Sequence, residues 1–442
     1  MKIALSDHFD YKRMLAFTMP SIVMMVFTSV YGVVDGYFVS NFVGKTPFAA
    51  VNFIMPVLMI LGGLGFMFGT GGGALIARTL GEGKKEKANK LFSLLVYVTV
   101  ITGVALSVLS FVLMEDIASA LGAEGQMLSD CVLYGRIIVA ALPFLMLQFE
   151  FQSFFVVAEK PKLGLYVTVA AGVVNMVLDA LFMAVFRWGI AGAAIATAIS
   201  QLVGGLIPLF YFLFRNTSLL RLTKTTFDMK SLVKTCTNGS SELMGNISMS
   251  LVSMLYNYQL LKFSGEDGIA AYGVLMYVNL IFLSVFIGFS TGIAPVVGFH
   301  FGAENKQELR GLLRKSFVVM GVSSVFMFLL SEALAFPLSY IFVGYDSSLM
   351  SLTLRGFFIY SFSFLFSGFA IFGSAFFTAL SDGVTSALIS FLRTLVFQTA
   401  AVMLFPIFWK IDGIWFSIVA AEVMAVAITL VFLKIKQKKF EY

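Results

Sequence analysis

The stretch KLGLYVTVAAGVVNMVLDALFMAVF, residues 162–186, decides the class of fold. Beyond Lys162 at its edge, its strongly polar side chains are Asn175 and Asp179. A helix of this length rises roughly 37 Å, enough to cross a hydrocarbon core about 30 Å thick. Asn175 and Asp179 stand four residues apart and therefore share one helix face. A carboxylate at that depth is either a tolerated helix-packing group or a site for a cation or a proton.

The rest of the chain repeats the apolar theme. Of 442 residues, 59% are hydrophobic and 12% charged, and the mean hydropathy is +0.94. Soluble domains carry about 25% charged residues. Here too few polar groups remain to cover a water-facing surface, so the chain is a polytopic membrane protein. An outer-membrane barrel would show alternating segments of about 10 residues. This sequence instead has twelve long apolar runs, near 14–43, 47–77, 88–114, 127–158, 162–186, 189–214, 236–263, 268–301, 312–342, 349–379, 384–409 and 412–434. The expected fold is all-α, with twelve transmembrane helices. Forty-nine Phe and 39 Gly suit helices packed in lipid.

Charge placement orients the helices. With the N-terminus inside, most of the 30 lysines and arginines fall in inner segments, including Lys84, Lys85 and Lys87, Arg310, Arg314 and Lys315, and Lys434 to Lys439. The outer segments hold Lys45, Arg187, Lys262 and Lys410. The positive-inside rule then puts both termini in the cytoplasm. The net charge of +6 is thus topological, and no nucleic-acid partner is expected. Cys131 and Cys236 fall at opposite membrane faces and suggest neither a disulfide nor a metal site.

The two halves match each other at a constant offset of 221 residues. Tyr37 pairs with Tyr258, Gly44 with Gly265, Met55 with Met276 and Gly71 with Gly292. Gly81 in "LGEGKKEK" pairs with Gly302 in "FGAENKQE", "SFFVVA" (153–158) with "SAFFTA" (374–379), and "WGIAG" (188–192) with "WKIDG" (409–413). Each half holds an even number of helices, so both enter from the same side. The repeats are parallel, related by a pseudo-two-fold axis near the membrane normal. Residues 1–214 are expected to form an N-lobe of helices 1–6, 215–235 a cytoplasmic linker and 236–442 a C-lobe of helices 7–12.

Ionisable groups inside membrane helices cost about 2.5–3.5 kcal/mol on insertion scales, so each is a functional candidate. Asp35 lies in helix 1, Asn175 and Asp179 in helix 5 and Thr197 in helix 6. The matching second-half residues are Tyr256, Val396, Ala400 and Ile418, so this cluster is not duplicated. Two nearby carboxylates in a low dielectric must share a proton or a cation. Asn and Thr oxygens would add neutral ligands for a hard ion such as Na⁺. Gln148, Glu150 and Gln152 in helix 4, with Asn52, Tyr277 and Asn279, are candidates for a substrate cavity. For Glu150 a helix–helix contact is an equal alternative. Pro20, in helix 1 upstream of Asp35, can let that helix bend. The glycines at 65, 69 and 73 indicate close helix packing, not a nucleotide loop. The sequence shows no ATP-binding domain and no nucleophile–base or metal spacing, which argues against an enzyme.

These pieces in order resemble the multidrug and toxic compound extrusion (MATE) family. The similarity rests on "PSI" (20–22), "YGVVDGYFVSNFVG" (31–44), "AAV" (49–51), "FQSFFVVAEKPKLG" (151–164), "NMVLD" (175–179) and "WGIAGAAIAT" (188–197). The resemblance implies two lobes around a V-shaped cavity and export of organic, often cationic compounds by H⁺ or Na⁺ antiport. It maps a cation-coupling site onto Asp35, Asn175, Asp179 and Thr197, with the bending proline at Pro20. Relatives that use acidic residues of helices 7 and 10 are matched only in part: Glu242 lies early in helix 7, and helix 10 has no carboxylate before Asp382. The expectation is an ion-coupled exporter in the bacterial cytoplasmic membrane, a monomer without cofactor, acting on small organic compounds. The alternative is a lipid-linked oligosaccharide flippase of the same superfamily. That function needs a cationic cavity, for which Arg136, Arg355 and Arg393 are the residues to watch.

Overall fold

The computed structural model describes residues 3–214 and 216–442. It contains no strand among the described residues. Twelve spans follow one another. They are α1 (Tyr11–Val43), α2 (Thr46–Gly81), α3 (Lys85–Ala120), α4 (Gly125–Ala140 and Leu142–Val157, bent by 57°), α5 (Pro161–Val185) and α6 (Gly189–Leu213), then α7 (229–264), α8 (Asp267–Gly302), α9 (Lys306–Val343), α10 (Ser347–Ala379), α11 (383–409) and α12 (411–440). Polar side chains mark the starts of several. Asp10 caps α1 through the Arg13 amide, Asn305 caps α9, and Asp346 and Asp382 cap α10 and α11. These side chains satisfy amides that a helix start leaves without partners.

Most boundaries expected from apolar runs hold to within four residues; the helices overrun them by six or seven where their ends are polar, at the end of α3, the starts of α7 and α9 and the end of α12. The region 215–235 is not all linker: α7 begins at Met229, capped by the Asp228 side chain on the Ser231 amide. The apolar signal starts later because the first turns of α7 are polar. Its link to α8 is tight. Gly265, at φ 62° and ψ −146°, takes a conformation that is strained for residues with a side chain, and helix resumes at once. The repeat-related Gly44 turns α1 into α2 at φ 127°.

The axis between the lobes is visible in how the helices cross. A Cβ on Gly81 would lie 2.0 Å from the Phe299 carbonyl oxygen, and one on Gly302 would lie 2.0 Å from the Arg78 oxygen. Positions 78 and 299, like 81 and 302, are 221 apart, so α2 and α8 cross through the same surface used twice. The flanking crossings are paired likewise. Gly71 of α2 meets Gly239 of α7, and Gly292 of α8 meets Thr18 of α1. Gly239 in turn meets the Met67 backbone, and Gly288 meets Ser21 and Ile22. All these approaches lie in the helix halves nearest the termini and the linker. At Gly32, Gly245 and Gly273, farther along α1, α7 and α8, an added Cβ would meet nothing within 4 Å. The lobes are sealed at the terminal end and part beyond it.

A strap closes the same end. Residues 3–10 run from the N-lobe to the C-lobe: the Leu5 amide donates to Glu159, while the Phe9 amide and His8 bond Glu308. Leu5 and Phe9 are fully buried in the C-lobe core. That core is one continuous apolar cluster. The N-lobe core is divided, with one cluster around Phe92, Phe154 and Phe212 and another around Ile54, Tyr134 and Ala193. Between these two run buried polar side chains, among them Gln148, Asn175, Asp179, Ser200 and Gln201.

Candidate functional site

Asp179 and Asn175 project from one face of α5 toward the centre of the N-lobe, 0% and 2% exposed. The helix is regular up to Asp179. The next turn, Ala180–Val185, then widens to i→i+5 bonding. Such a π turn lets a side chain hold a position that an α-helix would rotate away, and it often marks a functional position. Asp35 comes from α1, half-buried, and its carboxyl lies beside that of Asp179. The Asn175 amide donates toward the Thr197 hydroxyl of α6 at 3.5 Å. The four residues expected from three separate helices are therefore neighbours.

Two tyrosines complete the cluster. Tyr31, one turn before Asp35, lies beside Asp35 and Gln148 of α4. Tyr134 of α4 lies near Thr197 and both carboxylates. Tyr31 was legible as the i−4 neighbour of Asp35; nothing in the local pattern around Tyr134 pointed here. α1 reaches α5 closely because residue 172 is glycine: a Cβ there would lie 2.5 Å from the Phe27 ring and 2.9 Å from that of Tyr31.

Electrostatically, this pocket is uncompensated. Asp35 Oδ1 and both oxygens of Asp179 lack a hydrogen-bond donor among the described residues, and no Lys or Arg pairs with either carboxylate there. Carboxylates so buried bind a shared proton or a cation. The oxygens present suit a hard cation, and no cluster of three His, Cys, Asp or Glu exists among the described residues to favour a transition metal.

The C-lobe solves its buried charge differently. Arg393 of α11 donates from Nε to both Glu422 oxygens of α12, at 3.0 and 2.9 Å, and from Nη2 at 2.8 Å. A π turn, Leu392–Phe397, encloses Arg393. Tyr256, which occupies the position of Asp35 in the second repeat, is buried and stacks on Tyr272 at 5.2 Å. One lobe thus holds an open acid pair and the other a closed ion pair.

Between the lobes, near their sealed end, lies a cavity of about 200 Å³. Its polar lining includes Thr70, Glu242, Asn246, Ser290, Arg393 and Thr394. The residues expected for a substrate cavity do not line it. Gln148 packs on Gly204 of α6 and joins the acid cluster through Tyr31. Glu150, on the opposite side of α4, is fully buried against Gly69 of α2, with Thr99 beside it. Gln152 is 3% exposed. Helical spacing puts Gln148 and Gln152 on one face and turns Glu150 to the other, and only Ser153 of that helix reaches the cavity. Asn52 is exposed and bonds its own Phe48 carbonyl, Asn279 is half-buried, and Tyr277 stacks on Phe342. Glu242, Asn246 and Arg393 line the cavity instead; the sequence marks Glu242 as an early helix-7 acid and Arg393 as a candidate cation for a cavity wall. The three arginines do not converge: Arg136 is near Glu115, Arg355 pairs with Asp412 and Arg393 with Glu422. Pro20 is buried in α1, and the helix continues through it unbroken.

Two pseudo-symmetric six-helix lobes, sealed at one end and with a buried acid pair inside the N-lobe, define a two-lobed membrane transporter. The chain belongs to the MatE family, whose model matches residues 20–181 and 243–403, one segment in each lobe. It is 24% identical over 429 residues to the multidrug export protein MepA of Staphylococcus saprophyticus, covering 95% of this chain and 93% of that one. To MepA of Staphylococcus aureus it is 23% identical over 435 residues, with the same coverage. Its fold matches an outward-facing multidrug resistance MATE family transporter of the MOP superfamily with a TM-score of 0.93, at 20% identity over 98% of this chain and 97% of that one.

Proposed function

We propose that the protein is an ion-coupled exporter of small organic, cationic amphipathic compounds in the bacterial cytoplasmic membrane. Both termini would face the cytoplasm, so the sealed end is the cytoplasmic one and this conformation faces outward. The observation that carries the reading is the uncompensated Asp35–Asp179 pair beside Asn175, Thr197, Tyr31 and Tyr134. A proton or Na⁺ arriving from outside neutralises this pair.

The geometry suggests how neutralisation is felt elsewhere. Asp35 rides on α1, whose Phe27 and Tyr31 rest on Gly172 of α5. The same helix crosses into the C-lobe at Gly288 and Gly292, and Ser29 donates to the Leu280 carbonyl at 3.4 Å. A change of charge that shifts α1 therefore acts on both lobes at once. Coupling requires that the ion and the substrate bind the two lobe arrangements with different affinity. The unbroken α1 leaves Pro20, which frees one backbone bond, as the place for that helix to bend. The chain is read as a monomer without a cofactor and as a transporter rather than an enzyme. A lipid-linked sugar flippase is the less supported reading, because Arg393, the arginine in the cavity lining, is already neutralised by Glu422.

The test uses purified protein in liposomes loaded with ethidium, with a pH gradient and a Na⁺ gradient imposed separately. One gradient drives efflux in the wild type, and Asp35→Asn or Asp179→Asn abolishes the gradient dependence. Full gradient-driven efflux in both variants sinks the proposal.

A further inference from the structure

We propose that a groove between α9 and α12, at the terminal end of the C-lobe, holds an anionic phospholipid of the adjoining leaflet. The groove is about 870 Å³ and lies on the outside of the bundle, away from the acid pair and from the inter-lobe cavity. Its walls are graded along the membrane normal. Arg310 and Arg314 stand one helical turn apart at the start of α9, and Lys434 faces them from the end of α12. One to two turns deeper the lining becomes Phe317, Val318 and Leu430. From Arg310 to Val318 the rise is about 12 Å, so the groove spans the headgroup level and the upper part of a half-core about 15 Å deep.

Charge decides the occupant. Arg310, Arg314 and Lys434 are exposed, and among the described residues none is paired with a carboxylate side chain. Arg310 donates to the Glu441 backbone carbonyl, which orients its guanidinium without neutralising it. The nearby acids are already engaged, Glu441 with Lys306 and Asp382 with Lys436. Three cations are therefore left over an apolar floor, where Val318 and Leu430 remain 46% and 51% exposed. Basic pockets between helices at the membrane surface match anionic headgroups, with acyl chains filling the apolar part below. The arrangement does not depend on the transported substrate or on the coupling ion.

The probe is palmitoyloleoyl-phosphatidylglycerol mixed equally with palmitoyloleoyl-phosphatidylcholine, offered to the full-length detergent-solubilised protein, with retained lipid read by native mass spectrometry. The wild type is expected to keep phosphatidylglycerol in preference to phosphatidylcholine. Replacing Arg314→Gln and Lys434→Gln together should weaken retention about 25-fold, about fivefold per charge. The charge-keeping pair Arg314→Lys and Lys434→Arg should stay within about twofold of wild type on the same reasoning. Thermal unfolding of each variant separates lost lipid from lost fold. Three results would overturn the proposal: equal retention of both lipids by the wild type, unchanged retention in the double Gln variant, or displacement by an equal concentration of glycerol 1-phosphate, which would mark a soluble-phosphate site. A dimer that dissociates on the double substitution would also overturn it, by giving the groove to a second copy of the chain.

Discussion

Gly302→Ala should unseal the terminal end of the transporter. In the sealed arrangement the new Cβ would sit 2.0 Å from the Arg78 carbonyl oxygen, whereas ordinary van der Waals contact begins near 3.4 Å. The opposing atom is backbone in the last turn of α2, held by the Glu82 amide, so it cannot swing aside as a side chain would. α2 and α8 must separate by about 1.4 Å at that point or the sealed state must carry the strain. Overpacking of this kind costs about 1–3 kcal/mol, and a difference of that size shifts a two-state equilibrium about 5- to 150-fold. The parted arrangement carries no such cost. The protein supplies its own reporter: it has two cysteines, with Cys236 of α7 half-buried against the cluster of Met67 and Phe68, and Cys131 fully buried at the far end. Alkylation of Cys236 by a soluble maleimide should accelerate by a factor in that range, while that of Cys131 does not change. Gly81→Ala, which would meet the Phe299 oxygen at the same 2.0 Å, should behave alike, and the double variant should fall short of additivity because both residues share one crossing. Normal Cys236 kinetics in both single variants, with unchanged thermal stability, would refute the reasoning: the crossing would then be soft.

Three further outcomes follow from other parts of the fold. Glu422→Gln leaves the Arg393 guanidinium, 13% exposed, without its counter-charge. Breaking a buried pair costs about 3–5 kcal/mol, so thermal unfolding should show a large loss, and Arg393→Met in the same chain should recover most of it. Lys410 holds φ 51° at the turn where its repeat partner is Gly189 at φ 63°. Lys410→Gly should therefore stabilise the protein by about 1 kcal/mol in chemical denaturation, and no gain would mean that Lys410 makes a compensating interaction. Burial pulls the Asp382 carboxyl upward, but Lys436 and Thr385 outweigh it and hold the group below its ordinary range. The stability this gives is present above about pH 4 and is lost as pH falls through the depressed value. The gap in unfolding temperature between wild type and Asp382→Asn should accordingly narrow on acidification.

Much of this architecture was legible in the order of residues. The twelve spans and the 221-residue offset follow from hydropathy and from matched glycines, and the same offset reappears in space as the paired crossings of 81 with 299 and 302 with 78. The acid cluster was legible because a membrane makes Asp35 and Asp179 conspicuous, and their meeting needed only three neighbouring helices. The lining of the inter-lobe cavity was not legible. Gln148 and Gln152, four residues apart, share one helix face and Glu150 lies on the other, yet all three are buried inside the N-lobe, so a polar run in sequence did not become a cavity wall in space. The Arg393–Glu422 pair was hidden because the partners are 29 residues apart on adjacent helices, with no local spacing to link them. Tyr134 joins the acid cluster through tertiary packing that no local pattern encodes.

The polarity of α7 bears on how the chain is made. Residues 229–264 include Asn238, Ser241, Glu242 and Asn246, and this span falls short of the apolarity that lets α8 cross a membrane on its own terms. Gly265 joins the two without an intervening loop. During biosynthesis α7 therefore has little reason to leave the translocon for lipid by itself. It would partition as one arm of a hairpin with α8, onto an N-lobe already in place, where α2 offers Gly71 for Gly239 to pack against. The first lobe would then serve as the template on which the second is inserted, and a chain cut after residue 264 would leave its last helix without a stable place in the bilayer.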